Sequence, residues 1–360
     1  ARMTKKPQYK IPTMQEINKI QPNGLNVIST FSGAGGSTLG YKLAGFNVLW
    51  ANEFVEAAQD TYKANFVTSI LDTRDIRKIT GNDILQAVNM NVGDIDILDG
   101  SPPCASFSTL GKRDSKWGDV NSYSSTKQRT DDLFWEFIRL LNEIQPKTFV
   151  AENVKGLVTG TAKGHFLEIL EGLKQAGYNV TAKLLNAKWL GVPQKRERLI
   201  FVGVRQDLNK TTNTHPEPLP YYYTFQDAVK NVDNKDMHKQ VWLNDNTNAL
   251  KYWQYVAQYN LNRFCHAVEA LENKPNSWYA HIRCNNNDAT NTITQGGTMY
   301  HPTEPRRLSI AELKRLASFP DDFKLTGTYN QQWERICRAV PPLMMHKIAS
   351  TIKDNILCRI

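Results

Sequence analysis

The chain has 360 residues, of which 41% are hydrophobic, so it holds enough apolar material for one large domain carrying a smaller insert. No stretch approaches the roughly 18 consecutive apolar residues of a membrane helix, which argues against a membrane-spanning protein. The polar first residues lack the apolar core of a secretory signal, so we do not expect them to be a signal peptide. Lysine and arginine outnumber the acidic residues by 44 to 35, and the net charge of +9 suits a polyanionic partner such as nucleic acid, although many basic proteins have no such partner.

Short apolar runs and amphipathic stretches alternate through the first half of the chain. The apolar runs predict strands over residues 25–31, 47–51, 94–98, 148–151 and 199–204. The amphipathic stretches predict helices over residues 36–44, 132–144 and 166–176. Because strands separated by helices form βαβ units, the sequence predicts an α/β fold with a mainly parallel sheet covered on both faces.

The sequence changes character after residue 204. Residues 205–305 are rich in Asn, Thr, Tyr and Trp and show weak periodicity, and helical patterning returns at 309–318 and 340–356. We therefore expect an N-terminal tail over 1–24, whose residues 1–2 are an expression remnant. One α/β domain over 25–204 and 306–360 would then be interrupted by a small, irregular domain over 205–305.

The five cysteines are odd in number and form no Cys-x-x-Cys pair. This pattern favours reduced thiols in a cytoplasmic protein over a disulfide framework or a zinc site, and we expect no bound metal.

A glycine-rich loop follows the first predicted strand and opens a helix. Its residues are Phe31, Ser32, Gly33, Ala34, Gly35 and Gly36. Glycines let the backbone approach a ligand closely, and a helix N-terminus favours polar or anionic groups. Glu53 ends the next strand, where a carboxylate can accept hydrogen bonds from ribose hydroxyls. A tight structural turn would explain the glycines alone, but the order of strand, glycines and acid favours a nucleoside-containing cofactor.

Cys104 ends the segment Gly-Ser-Pro-Pro-Cys that follows the predicted strand at 94–98. Ligands of an open parallel sheet gather beyond the carboxyl ends of its strands, and consecutive prolines fix the direction of the side chain that follows them. A cysteine held there is a candidate nucleophile, since its thiolate is strongly nucleophilic. Small apolar filler is the ordinary role of a cysteine, and the sequence around Cys104 leaves the two interpretations about equal.

Two further motifs carry charge at strand ends. Glu152 and Asn153 follow the strand at 148–151, so the carboxyl would face the same crevice as Cys104, although an exposed loop acid is the simpler interpretation. Arg196 and Arg198 precede the strand at 199–204 and lie two residues apart. In extended chain they would share one face and could clamp an anion or a carboxylate, or they could form a solvated charged edge.

Taken together and in this order, these segments resemble the cytosine-C5 DNA methyltransferase family of bacterial restriction–modification systems. The similarity covers about residues 25–352 and is weakest over 205–288. It implies a Rossmann-like large domain that uses S-adenosylmethionine and needs no metal. The cofactor contacts that the family motifs imply are Phe31, Ser32, Gly33, Gly35, Gly36, Glu53, Phe54, Asp75, Ile76, Pro102, Arg338 and Ala339.

The resemblance also assigns catalytic roles. The thiolate of Cys104 would add to C6 of cytosine, and protonated Glu152 would hydrogen-bond or protonate N3 as charge develops there. Asn153 would help to hold the segment of Glu152. Arg198 would contact the base, while Arg196 would position the loop or a phosphate.

A cytosine inside a duplex must be flipped out for this chemistry, and residues 109–129 resemble the loop that closes over the flipped base. Residues 205–305 would be the target-recognition domain, which reads base edges in the major groove. The DNA contacts that the resemblance implies are Ser106, Lys112, Arg113, Gln194, Thr292 and Thr294. The expected protein is a bacterial, cytoplasmic monomer that acts on double-stranded DNA, has no membrane partner and works separately from a cognate restriction endonuclease.

One position departs from the family pattern. Where the family has Gly-Asn before Ala-Val, this sequence has Cys337 and Arg338. Arg338 could point to solvent or to a DNA phosphate, or it could pair with an anionic donor such as a carboxylated S-adenosylmethionine.

Three rival functions remain open on the sequence. An RNA cytosine-C5 methyltransferase would share the Cys104 and Glu152 motifs, but the insert before Thr292 favours duplex DNA with a sequence to read. A catalytically silent DNA-binding scaffold would not need Cys104, Glu152 and Arg198 together. A dehydrogenase would explain the glycine-rich loop and leave the Pro-Pro-Cys segment unexplained.

Overall fold

The computed structural model describes residues 5–103, 121–123, 126–128, 133–154, 163–209 and 213–360. Within these ranges, seven strands form one sheet, namely β1 (Asn26–Thr30), β2 (Asn47–Asn52), β3 (Ile70–Asp72), β4 (Ile97–Gly100), β7 (Thr148–Val154), β8 (Tyr178–Asn186) and β9 (Glu197–Arg205). Their order in the sheet is β3-β2-β1-β4-β7-β9-β8. Neighbours from β3 to β7 are parallel, whereas β9 runs antiparallel to both β7 and β8. The prediction of an α/β fold with a mainly parallel sheet is confirmed.

Both faces of the sheet are covered by helices, as alternating side chains along the strands require. On one face Ile28, Leu98 and Phe149 pack with the buried side of α5 (Leu133–Ile144). On the other face their chain neighbours, including Val27 and Ile97, pack against α2 (Gly36–Leu43) and α12 (Pro342–Asn355). The helices of the described residues are α1 (Met14–Asn18), α2 (Gly36–Leu43), α3 (Glu56–Asn65), α4 (Gly81–Val88), α5 (Leu133–Ile144), α6 (Lys163–Gln175), α7 (Phe225–Val229), α8 (Asn248–Gln258), α9 (Phe264–Glu272), α10 (Ile310–Leu316), α11 (Tyr329–Arg338) and α12 (Pro342–Asn355).

Several elements of the large domain were not predicted from the sequence, among them the helices α3, α4 and α11 and the strands β3 and β8. Strand β3 is only three residues long, and β8 is an edge strand whose side chains are mostly half-buried, so neither gives a clear apolar pattern. Helix α11 is rich in polar residues, although Thr328 and Gln331 form the capping box that marks a helix start.

The segment over 205–305 contains more regular structure than its weak periodicity indicated. It holds the short helix α7, the helices α8 and α9, and two strands that pair in parallel, β10 (His281–Arg283) and β11 (Thr298–Tyr300). Tyr252, Phe264 and Tyr300 belong to a separate apolar cluster between these elements. An antiparallel pair, β5 (Asn121–Tyr123) and β6 (Thr126–Gln128), lies before α5.

None of the helices in the described ranges has the length and apolar character needed to cross a bilayer.

Candidate functional site

A pocket opens where β1, β2 and β4 end at the carboxyl edge of the sheet. Parallel strands bring their following loops together at this edge, which is where ligands of such sheets bind. The pocket is lined by Phe31, Gly33, Ala34, Asn52, Glu53, Phe54, Ile76, Ser101, Pro103, Arg335 and Arg338. Six of the residues predicted to contact a cofactor are therefore brought together, from four separate segments of the chain.

Glycine is required at three positions of the loop for different reasons. Gly33 and Gly35 have positive φ angles of 57° and 99°, which residues with a Cβ atom rarely adopt. A Cβ atom on Gly36, at the start of α2, would lie 2.0 Å from the backbone oxygen of Val340. The loop therefore packs directly against the chain that leads into α12.

Substitution of Gly33 and Gly36 by alanine should distinguish the cost of backbone strain from the cost of a steric clash. We expect Gly36→Ala to lower the free energy of unfolding by about 3 kcal/mol, because a backbone oxygen must move. Gly33→Ala should cost about 1 kcal/mol, since its left-handed conformation is strained but no atom lies within 4 Å of the added Cβ. Urea unfolding of both variants measures the difference, and equal losses would contradict this account of the loop.

Glu53 is a buried acid at the edge of the pocket. It is 7% exposed, and its carboxylate accepts hydrogen bonds from the backbone N–H groups of Gly33 at 2.7 Å and Val55 at 3.2 Å. Burial raises the pKa of Glu53, while these backbone donors and the charge of Arg335 oppose the rise. The carboxylate thus holds the glycine-rich loop in place and borders the pocket at the same time.

The remaining predicted cofactor residues do not line the pocket. Ser32 is buried, and its hydroxyl is hydrogen-bonded to that of Ser29, while Gly35 and Gly36 form the start of α2. Asp75 caps a short 3-10 helix and forms an ion pair with Arg77. Pro102 is buried, and Ala339 is the C-cap residue of α11. The lining residues that the sequence did not predict are Ala34, Asn52, Ser101, Pro103 and Arg335. Arg335 could have been found from its position one helical turn before Arg338, had α11 been predicted.

Glu152 and Arg198 form an ion pair beside this edge. The Arg198 Nε atom lies 3.1 Å from Glu152 Oε1, and the two side chains are 16% and 13% exposed. Glu152 is part of β7 and does not follow its end as expected, because β7 pairs with β9 as far as Val154. Burial lowers the pKa of Arg198, and the charge of Glu152 opposes that change.

The register of β7 against β4 sets where Glu152 lies relative to the Pro-Pro-Cys segment. Gly100, the last residue of β4, pairs with Ala151. Glu152 is the next residue along β7, and Ser101 is the next along the neighbouring chain. Glu152 therefore lies one residue beyond the end of β4, next to the start of the segment that leads to Cys104.

Arg196 is buried in the interior of the protein. It is 4% exposed, and its guanidinium donates hydrogen bonds to the backbone oxygens of Ile293 at 3.2 Å and Cys337 at 2.9 Å. Burial and the neighbouring charge of Arg198 lower the pKa of Arg196 to about 9, so it is still protonated at neutral pH. Of its two predicted tasks, these contacts fit the positioning of backbone, and contact with a phosphate stays a prediction.

Gln194 and Thr292 also hold backbone where DNA contacts were expected. Gln194 is 1% exposed, and its side-chain oxygen accepts a hydrogen bond from the Ile293 N–H at 3.1 Å. The Thr292 hydroxyl donates to the Lys195 backbone oxygen at 2.6 Å, and the Thr294 backbone oxygen accepts from Trp333 Nε1 at 3.1 Å. The contact of Gln194 with DNA stays a prediction, and in this structure its side chain holds the backbone at Ile293.

Arg338 borders the pocket with its charge already engaged. Its Nε atom donates to Glu334 Oε1 at 2.9 Å, and Nη2 donates to the side chain of Gln295. The half-buried guanidinium is therefore not an isolated cation in the pocket.

Several predicted site residues lie outside the described residues, namely Cys104, Ser106, Lys112 and Arg113, with most of the predicted closing loop at 109–129. In the part of the chain that is described, no group of three or more metal-ligating side chains comes together. Cys265, Cys284, Cys337 and Cys358 are free thiols.

Comparison with known proteins gives concordant matches along nearly the whole chain. A family model for "C-5 cytosine-specific DNA methylase" matches residues 25–354. The type II methyltransferase M.NgoFVII of Neisseria gonorrhoeae is 32% identical over 344 residues, which cover 92% of this chain and 87% of the relative. The type II methyltransferase M1.HphI of Haemophilus parahaemolyticus is 33% identical over 338 residues, covering 91% and 86%.

Solved structures show the same fold at lower sequence identity. A putative DNA modification methyltransferase encoded within an E. coli prophage superposes with a TM-score of 0.69 at 23% identity, covering 92% of this chain and 99% of that one. A DNMT2 mutant of Spodoptera frugiperda gives a TM-score of 0.65 at 16% identity, covering 92% and 100%.

Proposed function

Because the chain belongs to the C-5 cytosine-specific DNA methylase family and is a cytosine-C5 methyltransferase that uses S-adenosylmethionine, we propose that Cys104 is its nucleophile and that the pocket at the glycine-rich loop binds the donor. We place it in the class of DNA (cytosine-5-)-methyltransferases. The observation that carries the proposal is the register of β4 and β7, which brings Glu152 past the strand end from which the segment to Cys104 leaves.

The chemistry of the pocket fits a nucleoside-containing donor. Phe31 and Ile76 offer apolar side chains for a base, and the Glu53 carboxylate is a suitable acceptor for ribose hydroxyls. Gly33 leaves open space above its backbone, where a ligand can approach closely. When bound, S-adenosylmethionine supplies an electrophilic methyl group.

The protein residues act on the cytosine ring. C5 of cytosine is a poor nucleophile, so the Cys104 thiolate forms a bond to C6 and pushes the ring electrons toward C5 and N3. Glu152, hydrogen-bonded to the ring, delivers or shares a proton at N3 as the charge develops there. C5 then takes the methyl carbon, whose bond to the donor sulfur breaks so that S-adenosylhomocysteine is left. Loss of the C5 proton to solvent, departure of Cys104 as a thiolate and return of the N3 proton to Glu152 restore the ring as 5-methylcytosine.

Arg198 and Arg196 support this step in different ways. Arg198 holds Glu152 through their 3.1 Å contact and is available to the flipped base from the same place. Arg196 is a positioning residue, because it ties the backbone at Ile293 to the end of α11 behind the pocket.

The contacts of Arg338 favour the ordinary donor over a carboxylated one. Recognition of an added carboxylate would need an available cation, whereas this guanidinium is bonded to Glu334 and Gln295. A carboxylated donor would therefore have to displace an existing ion pair before it gained from Arg338.

The remaining assignments follow from the family. Residues 25–204 and 306–360 would form the catalytic domain, 205–305 the target-recognition domain and 1–24 a tail. The substrate would be a cytosine flipped from double-stranded DNA, with Thr294 and the segment at 106–113 near the DNA. The relatives are named as type II methyltransferases, so we propose a restriction–modification role beside a separate cognate endonuclease, with the methyltransferase acting as a monomer.

The polymer specificity is tested by offering labelled S-adenosylmethionine with duplex DNA and with folded RNA in parallel. We expect label in DNA only, because a domain of this size between β9 and α10 suits the reading of a duplex groove. Label in RNA alone would overturn the proposal and favour the RNA methyltransferase that shares the same motifs.

A further inference from the structure

A chain of buried polar side chains joins the glycine-rich loop to the strand that leads to Cys104. Asp99, the second-last residue of β4, is only 2% exposed. Its Oδ1 atom accepts a hydrogen bond from the Tyr41 hydroxyl of α2 at 2.7 Å, and Oδ2 accepts one from the Ser29 hydroxyl of β1 at 3.2 Å. The Ser29 hydroxyl in turn lies 2.9 Å from the hydroxyl of Ser32, within the glycine-rich loop.

A carboxyl group is an unusual side chain for a buried position in the middle of this sheet. Ile97 and Leu98, which precede Asp99 in β4, are fully buried and apolar. Burial of an ionised carboxylate is costly, and an apolar side chain would be the ordinary choice in the middle of a parallel sheet. The proposed mechanism does not use Asp99.

The hydroxyl chain is complete in either protonation state of Asp99. When the carboxyl is ionised, Ser32 donates to Ser29, and Ser29 and Tyr41 donate to Asp99. When it is protonated, Asp99 can donate to Ser29, Ser29 to Ser32, and Ser32 to the backbone oxygen of Ser29, which lies 3.2 Å away. Gain of a proton at Asp99 therefore reverses the donors and acceptors of the chain without leaving a buried polar atom unpaired.

Both states are accessible near neutral pH. Burial raises the pKa of Asp99 to about 7, against the lowering effect of the hydrogen bonds from Tyr41 and Ser29, and the charge of Glu152 on β7 adds to the rise. Tyr62 on α3 also interacts electrostatically with Asp99 and bonds to the Thr38 hydroxyl. Burial raises the pKa of Tyr41 and Tyr62 far above neutrality, so both tyrosines stay neutral.

We propose that Asp99 is a positioning residue whose proton sets the direction of the Ser29–Ser32 hydroxyl chain and so tunes the affinity of the glycine-rich loop for S-adenosylmethionine. The inference rests on the proposed assignment of the donor to this pocket. The sulfonium group of the donor is cationic, and Asp99 is bonded through Ser29 and Ser32 to the loop that borders the pocket, so an ionised Asp99 carboxylate favours binding of the donor. Binding therefore tightens as Asp99 loses its proton, and the bound donor in turn favours ionised Asp99.

The proposal is tested by equilibrium binding of S-adenosylmethionine to the full chain without DNA, measured between about pH 6 and pH 8.5. This range includes the pKa of Asp99 and the pKa of the ligand's own amino group. The wild-type protein should bind about three- to tenfold more tightly above the Asp99 transition, the size of one hydrogen bond's net contribution. Asp99→Asn keeps a donor toward Ser29 and an acceptor toward Tyr41, so it should bind at every pH like the low-pH wild type. Titration of the ligand's amino group affects both proteins alike and cancels in the comparison.

Tyr41→Phe provides a second variant that keeps the acid. Loss of the Tyr41 donor should move the transition to higher pH, because that hydrogen bond lowers the pKa of Asp99. Tyr62→Phe is the matched control, since it removes a buried tyrosine hydroxyl that bonds to Thr38 and not to Asp99, and its transition should stay in place.

The proposal would be overturned if the affinity of Asp99→Asn changed with pH as that of the wild type does, or if the transition of Tyr41→Phe lay at the wild-type pH. Either result would leave the donor site intact. A protein that binds no S-adenosylmethionine at any pH would overturn the donor assignment, and this inference with it.

Discussion

Cys104→Ala is expected to abolish methyl transfer, lowering the rate by more than about 10⁴-fold, because without a thiolate at C6 the ring cannot be activated at C5. Binding of duplex DNA should remain largely intact, since most of its free energy comes from phosphate contacts that a cysteine does not make. The measurements are single-turnover transfer of labelled methyl groups and a DNA-binding titration at one fixed salt concentration.

Cys358→Ala is the matched control, because Cys358 is an exposed free thiol at the far end of the chain. It should transfer methyl groups at the wild-type rate. Transfer at an unchanged rate in Cys104→Ala would remove the covalent mechanism. Loss of DNA binding and transfer together would instead point to a structural role for Cys104, as in the interpretation of a cysteine as core filler.

Glu152→Gln is expected to lower the rate of transfer by about 10²–10⁴-fold, the range that a positioned acid or base contributes. Glutamine keeps the shape of the side chain and can still accept a hydrogen bond from Arg198, so the arrangement at the strand end should persist. It cannot deliver a proton to N3. The loss should therefore appear in the single-turnover rate and leave donor and DNA affinity nearly unchanged.

Glu136→Gln supplies the control for loss of an acid that is paired with an arginine. Glu136 bonds to Arg139 at 2.6 Å on α5, outside the set of pocket residues. Its rate should stay close to that of the wild type. If Glu152→Gln lost no more activity than Glu136→Gln, the proposed role at N3 would be contradicted.

The sequence predicted the central part of the fold well because short-range patterns determine it. The runs that became β2 and β9 hold Val-Leu-Trp-Ala and Leu-Ile-Phe-Val-Gly-Val, the nearly continuous apolar pattern of strands buried on both faces. Helix α5 was predicted within one residue of its start, since its apolar side chains recur at helical spacing. The glycine-rich loop and Glu53 were predicted to share a ligand site, and both line the pocket.

The contacts that the sequence could not supply are long-range. Arg196 gave the pattern of a charged strand edge, yet it bonds to backbone 97 and 141 residues away in the chain. Glu152 was assigned to a loop because nothing local indicates that β7 continues along β9. The sequence did not indicate a role for Asp99, because its partners Ser29 and Tyr41 are 70 and 58 residues away along the chain.

Mass analysis of nucleosides from DNA incubated with the protein and S-adenosylmethionine tests the central claim most directly. The account predicts 5-methylcytosine as the new nucleoside, formed by the wild type and absent with Cys104→Ala. A carboxymethylated cytosine from a carboxylated donor offered in competition would show that Arg338 selects that donor. A methyl group on another base, or unmodified DNA beside modified RNA, would contradict the account.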